Sequence, residues 1–310
     1  MKIVFMGTPA LAVPSMDILR AEHEIILAVT QPDKPAGRGH QLAASPIKQR
    51  ALECGIAVSQ PERARDESFV EQLRALAPDA IAVVAYGQIL PRAILELAPR
   101  GCVNLHFSLL PRWRGAAPVQ RAILNGDSMT GVTTQWMAEK LDAGDVILQR
   151  EVAILPHETS GELLERLTPS GAEVLLETIQ LLDTGQAPRT PQDESGVTIG
   201  PTIKKEEGHI DWNDEARSIV NRVRAMNPWP AAWCDFHDHP LKIWRATEAT
   251  QNSSGAPSKV LSLTAEGIVI AAGSGAVLLL EIQAPGKPRM KAADWARGAR
   301  LEVGQHLSTV

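Results

Sequence analysis

Short apolar runs alternate with helix-like segments through the first half of the chain, and this alternation constrains the fold more than any other feature. Strands are predicted at residues 2–6, 25–30, 56–58 and 80–84, and helices at residues 46–54, 66–75 and 89–97. Alternation of this kind produces a largely parallel sheet covered by helices on both faces. The first half is therefore predicted to be an α/β domain of Rossmann-like architecture.

The glycines of this half exclude two common nucleotide-binding sites. The first strand ends in Gly7-Thr8-Pro9, which turns the chain into a helix with a proline at a favoured early position. This turn is not a GxGxxG motif, and the sequence contains no GxxxxGK[ST] motif. The sequence therefore predicts neither a dinucleotide-binding site of the GxGxxG type nor a P-loop.

A long amphipathic segment at residues 160–182 is predicted to be helical, but it contains Thr168-Pro169-Ser170-Gly171. A proline in a helix interior costs about 3 kcal/mol or more. We therefore expect the helix to break there, with Thr168 capping a new segment.

Length and composition predict two domains. A single core stops growing at about 250 to 300 residues, and this chain has 310. Residues 185–200 are rich in Pro, Gly, Thr and Gln, which is typical of a linker. We expect a catalytic domain at 1–186, a linker at 187–206 and a second domain at 207–310.

The second domain shows one helical pattern followed by five short strands. The helix is predicted at residues 214–226, and the strands at 232–236, 241–246, 260–263, 268–271 and 277–283. Five short strands separated by turns are typical of a small β-barrel, in particular an OB-fold. The predicted fold is therefore a Rossmann-like, mostly parallel sheet domain followed by an OB-fold-like β-barrel domain.

Hydropathy and cysteine usage narrow the class of protein. No apolar run approaches the length of a membrane span, and MKIVFMGTP leads directly into a strand, so we expect a cytoplasmic protein without a membrane partner. Three cysteines without a CxxC pair suggest neither a disulfide framework nor a zinc ribbon. Cys234-x-x-His237-x-His239 is crowded and short of ligands for a closed tetrahedral site, so no metal is expected.

The charge distribution limits how this chain could hold a nucleic acid. The net charge is −5; residues 1–203 carry 18 basic and 24 acidic residues, and residues 204–310 carry 13 and 12. An RNA partner would therefore need local basic patches. One candidate is the cluster of Lys287, Arg289 and Lys291, which fits a solvated face as well as an RNA contact.

Polar side chains gather where one strand of the first domain ends. In the stretch at 101–120, Asn104 and His106 are two residues apart, so they project to the same face of a strand, and Ser108 follows in a loop. Ligands bind outside the carboxyl ends of strands in such sheets. Residues 130–148 form a predicted hairpin with Asp142 at its tip, from which a carboxylate can reach an imidazole.

These residues carry a family resemblance. Asn104-x-His106-x-Ser108-Leu-Leu-Pro111, Gly131-Val-Thr and Leu141-Asp142-x-Gly144 resemble the motifs of the 10-formyltetrahydrofolate-dependent formyltransferases. The resemblance covers nearly all of the chain. Its other blocks, in order, are residues 6–9 (MGTP), 31–39 (QPDKPAGRG), 84–87 (VAYG), 111–118 (PRWRGAAP) and 226–233 (MNPWPAAW).

The resemblance implies a reaction and the residues that perform it. The donor would be 10-formyltetrahydrofolate, the acceptor would be the amino group of methionine on initiator methionyl-tRNA, and the enzyme would be a monomer without a metal. The implied catalytic residues are Asn104, His106 and Asp142. The implied folate-binding loop consists of Ser108, Leu109, Leu110 and Pro111.

The resemblance also implies how the tRNA is held. The loop at 31–45 is too long for a simple connection between strand and helix. It would approach the acceptor end through Arg38, which lies between two glycines, although the residues alone leave a mobile surface loop open. The cluster of Lys287, Arg289 and Lys291 would add contacts from the second domain.

Formyl transfer to an amine explains why these residue types are needed. The tetrahedral intermediate carries an oxyanion, to which an asparagine amide and a protonated histidine can donate hydrogen bonds. Asp142 would orient His106, and the trio would also move protons between amine and folate nitrogen. Each residue taken alone also has a purely structural explanation: Asn104 as the cap of a turn, His106 as a buried, hydrogen-bonded histidine, and Asp142 as part of an Asx-turn.

Other members of the same family remain as alternatives. An enzyme that formylates glycinamide ribonucleotide or an amino sugar, or a deformylase, would share the three catalytic types. A noncatalytic RNA-binding protein on the same fold is a rival from another class. Phe107, Lys140 and Thr202 depart from the family pattern without removing a catalytic group.

Overall fold

The computed structural model of the chain describes residues 1–36, 41–237, 239–250 and 255–307. The chain divides into two compact units. The first comprises residues 1–118, 129–153 and 164–200, and the second comprises residues 119–128, 154–163 and 201–310.

The elements are named in chain order. The strands are β1 (Lys2–Gly7), β2 (Glu24–Val29), β3 (Lys34–Ala36), β4 (Gln41–Ala43), β5 (Val58–Ser59), β6 (Ala80–Val84), β7 (Cys102–His106), β8 (Met129–Trp136), β9 (Val146–Ala153), β10 (Ala232–Phe236), β11 (His239–Glu248), β12 (Val260–Leu263), β13 (Ile268–Ala271), β14 (Ala276–Gln283) and β15 (Met290–Lys291). The α-helices are α1 (Val13–Glu22), α2 (Pro46–Glu53), α3 (Glu67–Leu76), α4 (Arg92–Leu95), α5 (Pro118–Leu124), α6 (Ser160–Thr184), α7 (Ala216–Ala225) and α8 (Ala292–Ala299).

The first unit is built on a seven-stranded sheet in the order β5-β2-β1-β6-β7-β8-β9. The five strands from β5 to β7 are parallel to one another, whereas β8 is antiparallel to both β7 and β9. The predicted mostly parallel, Rossmann-like sheet is therefore confirmed. The loop at 31–45, which is too long for a simple connection, contains the short antiparallel pair β3 and β4.

The central strands are buried on both faces, which is why their sequences are continuous apolar runs. Residues 3–6 of β1 are completely buried, and all five residues of β6 are buried as well. A parallel strand covered by helices on both sides has no solvent-facing position, so alternation of apolar and polar residues is absent. This core fixes the strand ends from which the polar loops begin.

The sequence prediction of a broken helix at Pro169 is wrong. Helix α6 runs without interruption from Ser160 to Thr184, and the hydroxyl of Thr168 donates to the carbonyl of Leu164 at 2.7 Å instead of capping a new helix. Each buried leucine or similar side chain stabilises the fold by about 1.5 to 3 kcal/mol. Burial of Leu167, Val174, Leu175 and Ile179 therefore exceeds the local cost of an exposed proline.

The helix predicted at residues 89–97 is also shorter than expected. Helix α4 begins only after Pro91 and ends at Leu95. Pro91 lies in an extended conformation, which suits the residue before the first helical turn, and Ile89 on its other side is exposed. The apolar pattern of this segment thus arises from a loop followed by a single turn of helix.

The second unit contains an antiparallel sheet in the order β10-β11-β14-β13-β12, with β15 paired to β14. All five strands predicted from the sequence are present, and three of them, β10, β12 and β13, have the predicted bounds. Strand β15 and helix α8 were not predicted. Within the described parts of the chain, no helix is long and apolar enough to cross a membrane.

The position of Pro169 leads to a stability prediction. Replacing it with alanine restores a backbone donor inside α6 and removes a ring whose residue is exposed, so packing should be unaffected. We expect Pro169→Ala to raise the free energy of unfolding by about 1 to 2 kcal/mol, since relief of the helix penalty exceeds the entropy that the unfolded chain gains. Thermal or denaturant unfolding measures this change.

The matched control is Glu165→Ala, another exposed position of the same helix, which should leave stability nearly unchanged. A Pro169→Ala protein that unfolds at a lower temperature than the parent would show that proline is required where it stands.

Candidate active site

The strand β7 carries two of the three residues predicted to be catalytic. Asn104 lies opposite Gln135 of β8, and His106 lies opposite Thr133 of the same strand. His106 is buried and Asn104 is half-buried. Because β8 is antiparallel to β7, it ends opposite Val103, and the connection that follows it folds back to reach His106.

That connection between β8 and β9 contains Asp142, the third predicted residue, in a tight turn. Asp142 has a left-handed backbone with φ of 48°, a conformation that aspartate tolerates better than most residues. Gly144 follows so close to β8 that a Cβ atom there would lie 1.7 Å from the carbonyl oxygen of Trp136. Only glycine fits this position, which explains the Leu-Asp-x-Gly spacing of the turn.

The structure brings His106 and Asp142 together. Nδ1 of His106 lies 3.6 Å from Oδ2 of Asp142, and both side chains are largely shielded from solvent. Nε2 of His106 is 3.0 Å from the carbonyl oxygen of Trp113. A carbonyl can only accept, so Nε2 carries a proton in this arrangement.

The carboxylate of Asp142 is held by two further donors. The backbone N–H of Gly115 donates to Oδ2 at 2.9 Å, and the side-chain amide of Gln135 donates to Oδ1 at 3.0 Å. Both oxygens therefore have a fixed direction, and Oδ2 is the one that faces the imidazole. The side chain of Asn104 forms no hydrogen bond with any residue in the described ranges.

The loop predicted to bind folate is tied to the same strands. Ser108 is buried and donates to the carbonyl of Arg112 at 2.6 Å, so its hydroxyl shapes the loop. The hydroxyl of Thr133 donates to the carbonyl of Ser108 and accepts from the N–H of Leu110. Gln149 donates to the carbonyl of Leu110 at 2.8 Å.

The side chains of this loop pack against the outer strands. A Cβ atom at Gly131 would lie 2.6 Å from Cδ2 of Leu109, so the glycine of β8 makes room for that leucine. Leu110 is buried, and Pro111 is half-buried beside Gly196. The four predicted residues thus form one ordered loop that starts two residues after His106.

Sequence reasoning missed the contribution of residues 190–200, which fall inside the predicted linker. Thr198 contacts the backbone of both Trp113 and Arg114, and the side chain of Gln192 contacts Arg114, Asp142 and Gly144. A segment rich in Pro, Gly and Thr shows no periodicity, so its pattern carried no signal for these contacts.

The residues predicted to hold tRNA are described only in part. Arg38 lies outside the described residues. Lys287, Arg289 and Lys291 are exposed in the second unit, and the guanidinium of Arg289 lies 3.3 Å above the ring centre of Trp244. This cation–π contact gives Arg289 a packing role inside its own unit.

Of Cys234, His237 and His239, only Cys234 is buried. Cys234 is buried, and this burial raises the pKa of its thiol to about 12, with the nearby Asp235 carboxylate adding to the effect. In the described ranges, no group of three or more His, Cys, Asp or Glu side chains could hold a metal ion.

Comparison with known families decides the class of the chain. Residues 1–179 match the family described as formyl transferase, and residues 202–300 match the formyl transferase C-terminal domain. The chain belongs to the formyl transferase family. With both matches in order, the predicted fold class of a Rossmann-like domain followed by an OB-fold-like domain is confirmed.

Similar proteins of the same length reinforce this assignment. The methionyl-tRNA formyltransferase of Moorella thermoacetica is 47% identical over 311 residues, which cover 100% of both chains. That of Symbiobacterium thermophilum is 48% identical, covering 99% of this chain and 95% of the relative. These relatives confirm the prediction that the chain is an enzyme that transfers a one-carbon formyl group.

Among solved structures, the fold is similar to that of WlaRD, a sugar 3N-formyl transferase crystallised in the presence of dTDP and 5-N-formyl-THF. The TM-score is 0.67 at 19% sequence identity, covering 93% of this chain and 99% of that one. At this identity, the likeness concerns the fold alone.

The contact between His106 and Asp142 generates a kinetic prediction. If the two side chains act as one unit, combining His106→Asn with Asp142→Asn should lower kcat/KM for formyl transfer little more than the worse single substitution does. Steady-state kinetics on the parent, both single variants and the double variant give the coupling. Losses of transition-state free energy that add in full would mean that the two residues act separately.

Proposed function

We propose that this formyl transferase transfers the formyl group of 10-formyltetrahydrofolate to the amino group of methionine on initiator methionyl-tRNA, for translation initiation. The main support is the convergence of Asn104, His106 and Asp142 at one strand end in a chain that matches relatives of that name along its whole length. A second copy of the chain and a membrane play no part in this proposal, which treats the enzyme as a cytoplasmic monomer.

In the proposed mechanism, the amine nitrogen attacks the formyl carbon and the former carbonyl oxygen becomes an oxyanion. The amide N–H of Asn104 donates to this oxygen, since its side chain is half-buried at the strand end and is not used by another described residue. A single donor of this kind is worth about 10² to 10³ in rate. Collapse of the intermediate then breaks the bond to the folate nitrogen.

His106 and Asp142 serve the proton transfers of this scheme. The attacking ammonium loses one proton, and the folate nitrogen that leaves gains one. Without substrate, Nε2 of His106 donates a hydrogen bond to the carbonyl of Trp113. A reacting group that bonds to Nε2 takes the place of this carbonyl as hydrogen-bond partner. Asp142, fixed by Gly115 and Gln135, keeps the imidazole oriented through Nδ1.

The folate is assigned to the loop of Ser108, Leu109, Leu110 and Pro111. Because the hydroxyl of Ser108 is already bonded to the carbonyl of Arg112, its role in this proposal is to hold the loop in shape. Backbone groups and the apolar side chains of Leu109 and Pro111 then supply the contacts to a flat pterin ring. The formyl donor needs no resident metal in this scheme.

The tRNA is assigned to two sets of residues. Residues 1–186 would carry the chemistry, residues 187–206 would link the domains, and residues 207–310 would hold the body of the tRNA. Lys287, Arg289 and Lys291 are exposed and could meet phosphates, while Arg38 would position the acceptor end.

A direct assay tests the proposed function. Incubation with 10-formyltetrahydrofolate and charged initiator tRNA should give formylmethionine on the tRNA, whereas uncharged tRNA should give no formylated product. An amino sugar nucleotide and glycinamide ribonucleotide serve as competing acceptors. Efficient formylation of one of these in place of methionyl-tRNA would reject the proposal and favour another branch of the family.

Asn104→Ala tests the oxyanion donor. We expect kcat to fall by about 10² or more with the fold intact, because the donor acts mainly in the transition state. Circular dichroism and thermal unfolding check the fold. Near-normal turnover in a folded variant would remove Asn104 from the mechanism.

The salt dependence of tRNA binding tests the basic cluster. Glutamine is the better replacement for Lys287, Arg289 and Lys291, since alanine at 289 would also uncover Trp244. The slope of log K against log salt should fall by roughly 0.7 to 0.9 for each phosphate that the variant no longer neutralises. An unchanged slope in the triple glutamine variant would leave the cluster as a solvated face.

Arg38→Ala provides the contrasting measurement. A residue that positions the acceptor end should affect kcat as well as KM, because about 1 Å of misplacement can cost about 10²-fold. Unchanged values of both constants would exclude the loop at 31–45 from tRNA recognition.

A further inference from the structure

Residues 188–200 form a strap whose first part is fastened to the hairpin of β8 and β9. The indole N–H of Trp136 donates to the carbonyl of Pro188 at 2.8 Å, and the guanidinium of Arg189 lies 3.8 Å above the Trp136 ring centre. Thr190 and Val146 exchange two backbone hydrogen bonds, of 2.8 and 3.1 Å. The start of the strap therefore extends the edge of the hairpin that carries Asp142.

The last part of the strap is fastened to the loop that follows β7. The N–H of Arg114 donates to the carbonyl of Thr198 at 2.9 Å, and the N–H of Gly200 donates to the carbonyl of Arg114 at 2.7 Å. The hydroxyl of Thr198 accepts from the N–H of Trp113 at 2.8 Å. Trp113 is the residue whose carbonyl accepts a hydrogen bond from Nε2 of His106, so the strap also holds this neighbour of the imidazole.

Gln192 joins these two attachments through a single amide. Its Nε2 donates to the backbone carbonyls of Asp142 at 2.9 Å and Gly144 at 2.7 Å. Its Oε1 accepts from Nε and Nη2 of Arg114, at 3.1 and 2.9 Å. An amide is the side-chain group that can donate two hydrogen bonds on one side and accept two on the other.

The charge of Arg114 fixes the orientation of this amide. Arg114 is only 2% exposed, and its Nη2 also pairs with Oε1 of Glu194 at 2.8 Å. A guanidinium has donors only, so the amide oxygen of Gln192 must face it and the NH₂ group must face the two carbonyls. The orientation of Gln192 thus follows from its partners.

We infer that Gln192 is a positioning residue for the reaction, which holds the Asp142 turn at its working distance from His106. This inference rests on the proposed function and deepens it. Asp142 on the hairpin and Arg114 on the loop belong to the two segments that surround the imidazole, and the amide of Gln192 bonds to both. Since about 1 Å of misplacement can cost about 10²-fold in rate, a loosened turn should be visible in kcat.

Besides Gln192, the turn is held by the hydrogen bonds of Gly115 and Gln135 to the Asp142 carboxylate. Leu141 is 65% exposed, so the tip of the hairpin is not anchored by a buried apolar side chain at that position. Gln192 itself is half-buried and lies outside the apolar core of the sheet. Loss of its amide should therefore change the local geometry more than the stability of the unit.

Two variants of Gln192 separate positioning from simple packing. Gln192→Ala removes the four hydrogen bonds to Arg114, Asp142 and Gly144, together with a longer one of 3.4 Å from Nε2 to Oε1 of Gln135. Gln192→Glu keeps the shape and the acceptors for Arg114 but loses the donors to the carbonyls of Asp142 and Gly144. We expect both to lower kcat by about 10- to 100-fold, with KM for tRNA and folate within about twofold of the parent. The melting temperature should stay within about 2 °C.

Gln186→Ala is the matched control, because Gln186 is an exposed glutamine shortly before the strap. It should match the parent in kcat, KM and melting temperature. A Gln192→Glu enzyme with parental kcat would overturn the inference, because its donors would then be dispensable. A fall in kcat that only accompanies a large fall in melting temperature would also overturn it.

A crystal structure of Gln192→Ala tests the same point without an activity assay. We expect the Asp142 carboxylate to move away from Nδ1 of His106 from its present 3.6 Å. An unmoved turn would reject the positioning role. If the parent enzyme formylates no methionyl-tRNA, the proposed function fails, while this structural comparison still decides whether Gln192 holds the turn.

Discussion

The site depends on the antiparallel pairing of β8 with β7. This pairing sets Gln135 opposite Asn104 and Thr133 opposite His106, so β8 flanks both residues. The connection between β8 and β9 then folds back over these residues, where the Gln135 amide bonds to the Asp142 carboxylate beside the imidazole. The turn in this connection thus joins residues that are 36 positions apart in the sequence.

The two sides of this arrangement are held in place by different kinds of contact. The β7 side is part of a sheet whose central strands are completely buried, so Asn104 and His106 can move little without opening the core. The Asp142 side is held by polar contacts, from Gly115, Gln135 and Gln192. Hydrogen bonds shielded from water hold direction well, and they also make this side sensitive to single substitutions.

The polar side chains of the site divide into those that hold the structure and those that remain directed towards a ligand. Ser108 and Thr133 direct their hydroxyls to the backbone of the folate loop. Arg114 is buried against Gln192 and Glu194. Asn104 differs from these, as its amide is half-buried at the strand end without a bond to another described residue. Residue type alone does not reveal this division.

The parallel sheet, the five strands of the second unit and the motif residues could be predicted from the amino-acid sequence, because each is encoded in a local pattern or in an ordered motif. The motif residues are Asn104, His106 and Asp142. The local pattern at Pro169 predicted a helix break that does not occur, because burial of the apolar face of α6 outweighs the cost of a proline in the helix interior. The backbone groups that surround the imidazole, and the bonds of Gln192 to Arg114 and to the Asp142 turn, are set by the folded chain and could not be predicted. Contacts between segments far apart in the chain leave no periodic trace, since they depend on strand order and not on neighbouring residues.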